Sequence, residues 1–213
     1  VTLIAIAQAS KFRTFNFSSA SVAPPTIVTT TQGNSGQGES VTTSDSISIV
    51  NSDTYLAFIT MKPYRQVKSI EGLGSDWVKI KTQCSGRSAT GIEVWMANTP
   101  PTSAGRVRAT LSGEALNSIV SVVQISGVNK DIQIKTTGLN TKGLEGGCSS
   151  GTDSSSYTTK LTPAANSLVI GGISSRFVTQ TSSDGFTELF DIHYGGSNGA
   201  KAGLAITNKY FSS

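Results

Sequence analysis

The chain has 213 residues, of which 37% are hydrophobic and only 14% charged, with a formal net charge of +4. That length and apolar content suffice for one large domain with a substantial core, and they exclude a disordered chain. The 17 basic and 13 acidic residues are scattered without a run of Lys or Arg that would track phosphates, which argues against a nucleic-acid partner, and no apolar run approaches the roughly 18 residues of a membrane-spanning helix.

The chain opens on Val1-Thr-Leu-Ile-Ala-Ile-Ala-Gln-Ala-Ser10. One alternation (Val1, Leu3, Ala5, Ala7, Ala9) is apolar, and Ile4 and Ile6 make much of the other apolar too, so a strand here suits burial on both faces. The run is too short to span a bilayer as a helix and lacks the basic start and cleavage site of a secretory leader; it reads as a mature N-terminus. A second candidate segment, 11–17, follows. Asn16-Phe17-Ser18 is a sequon, which makes Asn16 a candidate glycosylation site if it is exposed. Residues 18–25, small and polar and closed by two prolines, read as a hinge.

Beyond the hinge the pattern is a train of short strands divided by Gly, Asn, Asp and Ser clusters. Strands are expected at 26–31, 46–50, 55–61, 66–71, 77–82, 91–97, 106–111, 119–126, 131–136, 157–161, 168–174, 186–192 and 200–210, with 32–38 a mobile loop and no helix. Ser197-Asn-Gly199 is a hairpin turn signal. The fold class expected is all-β: an antiparallel two-sheet jelly-roll sandwich over 26–213, preceded by an extension strand and hinge over 1–25.

The chemistry is sparse. His193 is the one histidine, which removes most acid–base schemes and any histidine-cluster metal site. No serine sits in a nucleophile elbow. Glu71, Asp76, Glu93 and Glu114 have no spacing that favours a glycosidase pair. No catalytic residue, metal or cofactor is therefore expected. Cys84 and Cys148 lack metal-ligand spacing and read as a disulfide, which in an oxidising compartment would contribute on the order of 4 kcal/mol; two buried free thiols are the other arrangement open to them. Trp77 and Trp95 are candidate sugar-stacking residues for surface glycans, with burial in or beside the core the competing reading. Lys79 and Lys81 are expected on one strand face.

Several strands carry a resemblance: Tyr55-Leu-Ala-Phe-Ile-Thr, Ser75-Asp-Trp77, Ile92-Glu-Val-Trp95, Gly105-Arg-Val-Arg-Ala-Thr-Leu-Ser112, Val120-Ser-Val-Val-Gln-Ile-Ser-Gly127 and Asn166-Ser-Leu-Val-Ile-Gly171. From about 47 to 211 the chain resembles the jelly-roll modules of secreted prokaryotic surface proteins and phage tail proteins. With the apolar N-terminal strand and hinge, the layout is similar to the subunits of archaeal thread-type surface filaments, which assemble by donor-strand exchange as chaperone-usher pilins do. The resemblance implies an extracellular homopolymer in which Val1, Leu3, Ile4, Ala5, Ile6 and Ala7 enter a neighbouring subunit. The alternative is a monomeric carbohydrate-binding or adhesive module whose first strand folds into its own sheet.

Overall fold

The computed structural model describes residues 2–9, 24–85, 89–128, 133–140, 161–182 and 184–212. Among them the chain is all β and every strand pairing is antiparallel. The strands are β1 (Thr2–Ala9), β2 (Thr26–Ser35), β3 (Gly38–Thr42), β4 (Thr54–Lys62), β5 (Val67–Glu71), β6 (Trp77–Cys84), β7 (Gly91–Ala97), β8 (Arg108–Ala115), β9 (Asn117–Ser126), β10 (Gln133–Asn140), β11 (Ser167–Ser175), β12 (Thr187–Tyr194) and β13 (Ala202–Phe211). They form three sheets rather than two. The central sheet has the order β2-β9-β4-β7-β6, an outer sheet β10-β1-β11-β13-β12, and a small sheet β3-β8-β5.

The central sheet is sandwiched because its strands are apolar on both alternations. In β4, Tyr55, Ala57, Ile59 and Met61 join Val41, Val67, Ile70, Ala109 and Leu111 in one core against the small sheet. Leu56 and Phe58, on the opposite parity, join Ile92, Val94, Ile119, Val123, Leu168, Ile170, Leu204 and Ile206 in a second core against the outer sheet. Strands buried on both faces read as continuous hydrophobic runs, and β4 and β9 are buried at nearly every position.

Local differences from expectation have physical causes. Residues 32–38 are not a loop: β2 runs to Ser35 against β9, and β3 follows after a short turn. A Cβ on Gly33 would lie 2.0 Å from the Thr42 carbonyl oxygen, so only glycine lets β2 pass this close to the end of β3. Residues 46–50 form a single bridge, Ile47 to Gly105, instead of a strand. A β-bulge between Lys79 and Lys81 pairs Lys79 with Trp95 and Lys81 with Val94, which lie in different cores, so the two lysines are on opposite faces. The 157–160 part of one expected strand lies outside the described residues. The hairpin at Ser197 is present, with the Ala200 and Lys201 amides donating to the Ser197 carbonyl at 3.0 Å each.

Phe58 is wholly buried in the second core, beneath Gly172 of β11. A Cβ on Gly172 would approach its ring to 2.7 Å. Gly172→Ala is therefore expected to force the ring aside and cost about 1–3 kcal/mol, read as a lower urea midpoint at unchanged slope; an unaltered midpoint would mean the ring yields freely.

Candidate functional site

The N-terminal strand occupies an interior place in the outer sheet of its own chain. β1 pairs with β10 from Thr2↔Asn140 to Ala9↔Gln133, and with β11 from Thr2↔Ser174 to Ala7↔Val169. The extension strand expected to leave for a neighbouring subunit is thus paired along both edges within its own chain. Cross-strand partners share a face. Ile6 is opposite Ile170 and Ile4 opposite Gly172, which puts positions 4 and 6 on the face toward the central sheet, where Ile170 joins the core. Leu3 opposite Ile173 and Ala7 opposite Val169 fall on the other face. That face is covered too: Val169 packs with Leu161, Phe186 and Phe211, and β11 is buried at every position. A strand beside β11 must therefore be acceptable to a dry environment on both sides, as the two-sided apolar run of β1 is. Ala5 is level with Gly171, and Ile4 is flanked by Gly138 as well as Gly172.

The linker that would let β1 leave spans 10–25, of which 10–23 lie outside the described residues; Val1 and Asn16 do as well. Cys84, buried at the end of β6, is disulfide-bonded. The only other cysteine of the chain, Cys148, lies outside the described residues.

Trp95 is in the core against the small sheet, 8% exposed, which leaves it no open face on which a sugar ring could stack. Trp77 packs partly buried against the same core and donates its indole N–H to the Gly72 carbonyl at 3.1 Å. The reason Trp95 turns inward is its partner two residues earlier, Glu93, which is itself wholly buried. Glu93 Oε2 accepts from Trp95 Nε1 at 3.0 Å and pairs with Lys79 Nζ at 3.1 Å. Its Oε1 accepts from Tyr64 at 3.0 Å and from the Val67 amide at 3.1 Å. Lys79 also lies 5.3 Å above the Trp95 ring. Four donors saturate the carboxylate, so it ties β5, β6 and β7 together and has no lone pair turned to a substrate.

A second polar cluster joins Ser175, Asp191 and His193 on the outer sheet. His193 Nε2 lies 3.2 Å from Ser175 Oγ, 3.2 Å from the Val178 carbonyl and 3.7 Å from Asp191 Oδ1. A nucleophilic relay needs the carboxylate on one ring nitrogen and the serine on the other; here all three partners share Nε2. The Gln180 amide donates to Asp191 Oδ2 at 2.6 Å, so the cluster fastens the segment after β11 to β12. Sequence reading singled out His193 but not Ser175, a small residue on another strand of the same sheet that only the fold brings near. Among the described residues no group of three or more His, Cys, Asp or Glu could hold a metal ion, and no helix is long and apolar enough to cross a membrane.

Burial raises the Tyr64 phenol to about 12; the neighbouring Glu93 carboxylate adds to the rise, and the hydrogen bond with Thr82 opposes it. An unfolded tyrosine ionises near about 10. The native state holds this proton where the unfolded chain has lost it, so its contribution to stability is intact below about pH 10 and disappears as pH climbs through about 12. Tyr64→Phe is expected to cost roughly 1–3 kcal/mol at neutral pH, from the lost bond to a charged acceptor, and to lose stability less steeply between pH 10 and 12; parallel pH profiles of melting temperature would contradict this. Comparison with protein-family models, curated proteins and solved structures gave no match.

Proposed function

We propose that the chain is a non-enzymatic structural subunit of an extracellular filament, a jelly-roll-like sandwich that polymerises with identical copies by exchanging its N-terminal strand. The observation that carries this reading is the place of β1. It is an interior strand, yet both its neighbours come from far along the chain, and residues 10–25 connect it to β2. Withdrawn, it would leave the edges of β10 and β11 unpaired beside a doubly buried strand, a surface that demands cover. An identical strand from a second copy restores the same pairings. Exchange is then nearly neutral in contact energy and is decided by linker reach and concentration.

The home arrangement is the closed form on this reading. Residues 10–25, at about 3.3–3.6 Å each when extended, reach on the order of 50 Å, enough to carry β1 from its own body to the slot of a neighbour. Because donor strand and acceptor slot are different surfaces, the contact is heterologous and propagates as a fibre. The second reading, a monomeric carbohydrate-binding or adhesive module, is favoured by the pairing of β1 within its own sheet.

Removal of residues 1–10 separates the two readings. Strand exchange predicts a variant that forms no filaments, aggregates through its open slot, and regains thermal stability when a synthetic peptide of residues 1–10 is added. Filaments from the shortened chain, or a body indifferent to the peptide, would refute the proposal. Discrete globular particles of the intact protein at high concentration, seen by electron microscopy, would favour the monomeric module.

A further inference from the structure

The two facing sheets leave a groove on the side away from β10. β2 is the edge of the central sheet and β12 the edge of the outer sheet, and between them lies a cavity of about 590 Å³ with Ile119 and Ile192 in its lining. That size is within the usual range for small-molecule sites. Its lining breaks the rule that inward positions of a sandwich are apolar. Thr30, Gln32 and Asn34 pair with Val123, Ser121 and Ile119, and Val123 and Ile119 belong to the core against the outer sheet. Three polar residues thus occupy the inward face of β2. Across the groove Tyr194 pairs with Ala202, also a member of that core, and it is 37% exposed.

We infer that this groove is a binding cleft for a neutral saccharide. Thr30, Gln32, Asn34, Ser44, Asp45 and Tyr194 line it beside His193; the His193 Nε2 is engaged by Ser175 and the Val178 carbonyl, whereas the side chains of the other six make no hydrogen bond to another described residue. Amide, hydroxyl and carboxylate groups in one place match the mixed donors and acceptors of sugar hydroxyls, and an exposed aromatic ring suits the apolar face of a pyranose. The lining contains no lysine or arginine and one carboxylate, Asp45, which disfavours phosphorylated or acidic sugars. The walls are set before any ligand arrives. β2 is paired with β9 to Ser35, and the Ser44 amide donates to the Gln32 carbonyl at 2.8 Å, seating Ser44 and Asp45 at the rim where Gly33 admits the close crossing. Such preorganisation lowers the cost of binding. The cleft is independent of strand exchange, since β11 and β13 stand between the β1 slot and the β12 edge of the outer sheet.

Saturation-transfer NMR of the full-length protein with maltotriose, mannotriose, chitotriose, xylotriose and sialyllactose tests the assignment. Saturable binding of at least one neutral trisaccharide is expected, weakened about ten-fold or more by Tyr194→Ala and by Asn34→Ala, with thermal unfolding of both variants close to that of the parent. Absence of saturable binding across the neutral sugars at millimolar concentration would overturn it. So would binding that both variants retain in full, or a preference for sialyllactose.

Discussion

The fold depends on one constraint: the central sheet must be covered on both faces. β4 and β9 are apolar on both alternations, and β7 carries its one charge, Glu93, sealed by four partners. Burying only one side of such a sheet would leave Phe58, Ile92, Val94 and Val123, or alternatively Tyr55, Ile59, Met61 and Trp95, in water at a cost of about 1.5–3 kcal/mol for each large side chain. The small sheet closes one face and the outer sheet the other. The outer sheet inherits the problem in turn, because β11 is itself buried on both sides.

That inheritance links the fold to the proposed function. A strand between β10 and β11 is paired along both edges and lies beside a strand buried on both faces, and among the described residues that place is taken by β1. In the proposed exchange, a filament would keep the hydrogen bonds and register that β1 makes in the closed subunit. The balance between the two forms is therefore a matter of effective concentration rather than of new contacts. The proposed saccharide cleft falls at the β12 margin of the same outer sheet, where the inward face of β2 turns polar, so it would remain accessible to a ligand whichever copy supplies β1.

Much of the strand pattern was legible because strands buried on both faces are long apolar runs. The β7 bounds were readable to the residue, and β4, β11 and β13 nearly so. What could not be read depends on partners remote in sequence. The Gly-rich stretch around Gly33 looks like a loop until the closeness of Thr42 explains why glycine is needed within a strand. Lys79 and Lys81 are two apart and look like neighbours on one face until the bulge opposite Trp95 separates them. Trp95 is ambiguous in sequence because Glu93 gives its alternation a charged member, and the Lys79 that offsets this charge and the Tyr64 that donates to it lie outside β7. A third sheet is invisible for a similar reason: alternation tells which parity is apolar, not which layer covers it. The cleft was missed because Thr30, Gln32 and Asn34 are ordinary polar strand residues until the register shows that they face inward.

The register of β1 provides its own test of whose slot it fills. Ala7 and Val169 are direct partners across β1 and β11, at a separation that suits a disulfide between paired strands. In the variant Ala7→Cys, Val169→Cys, oxidised after assembly, strand exchange predicts a ladder of covalently linked subunits on a denaturing gel without reductant, collapsing to one band when reductant is added. A single monomer band under both conditions, from material in which the 7–169 bond is verified by mass spectrometry, would place β1 in its own subunit and contradict the filament mechanism.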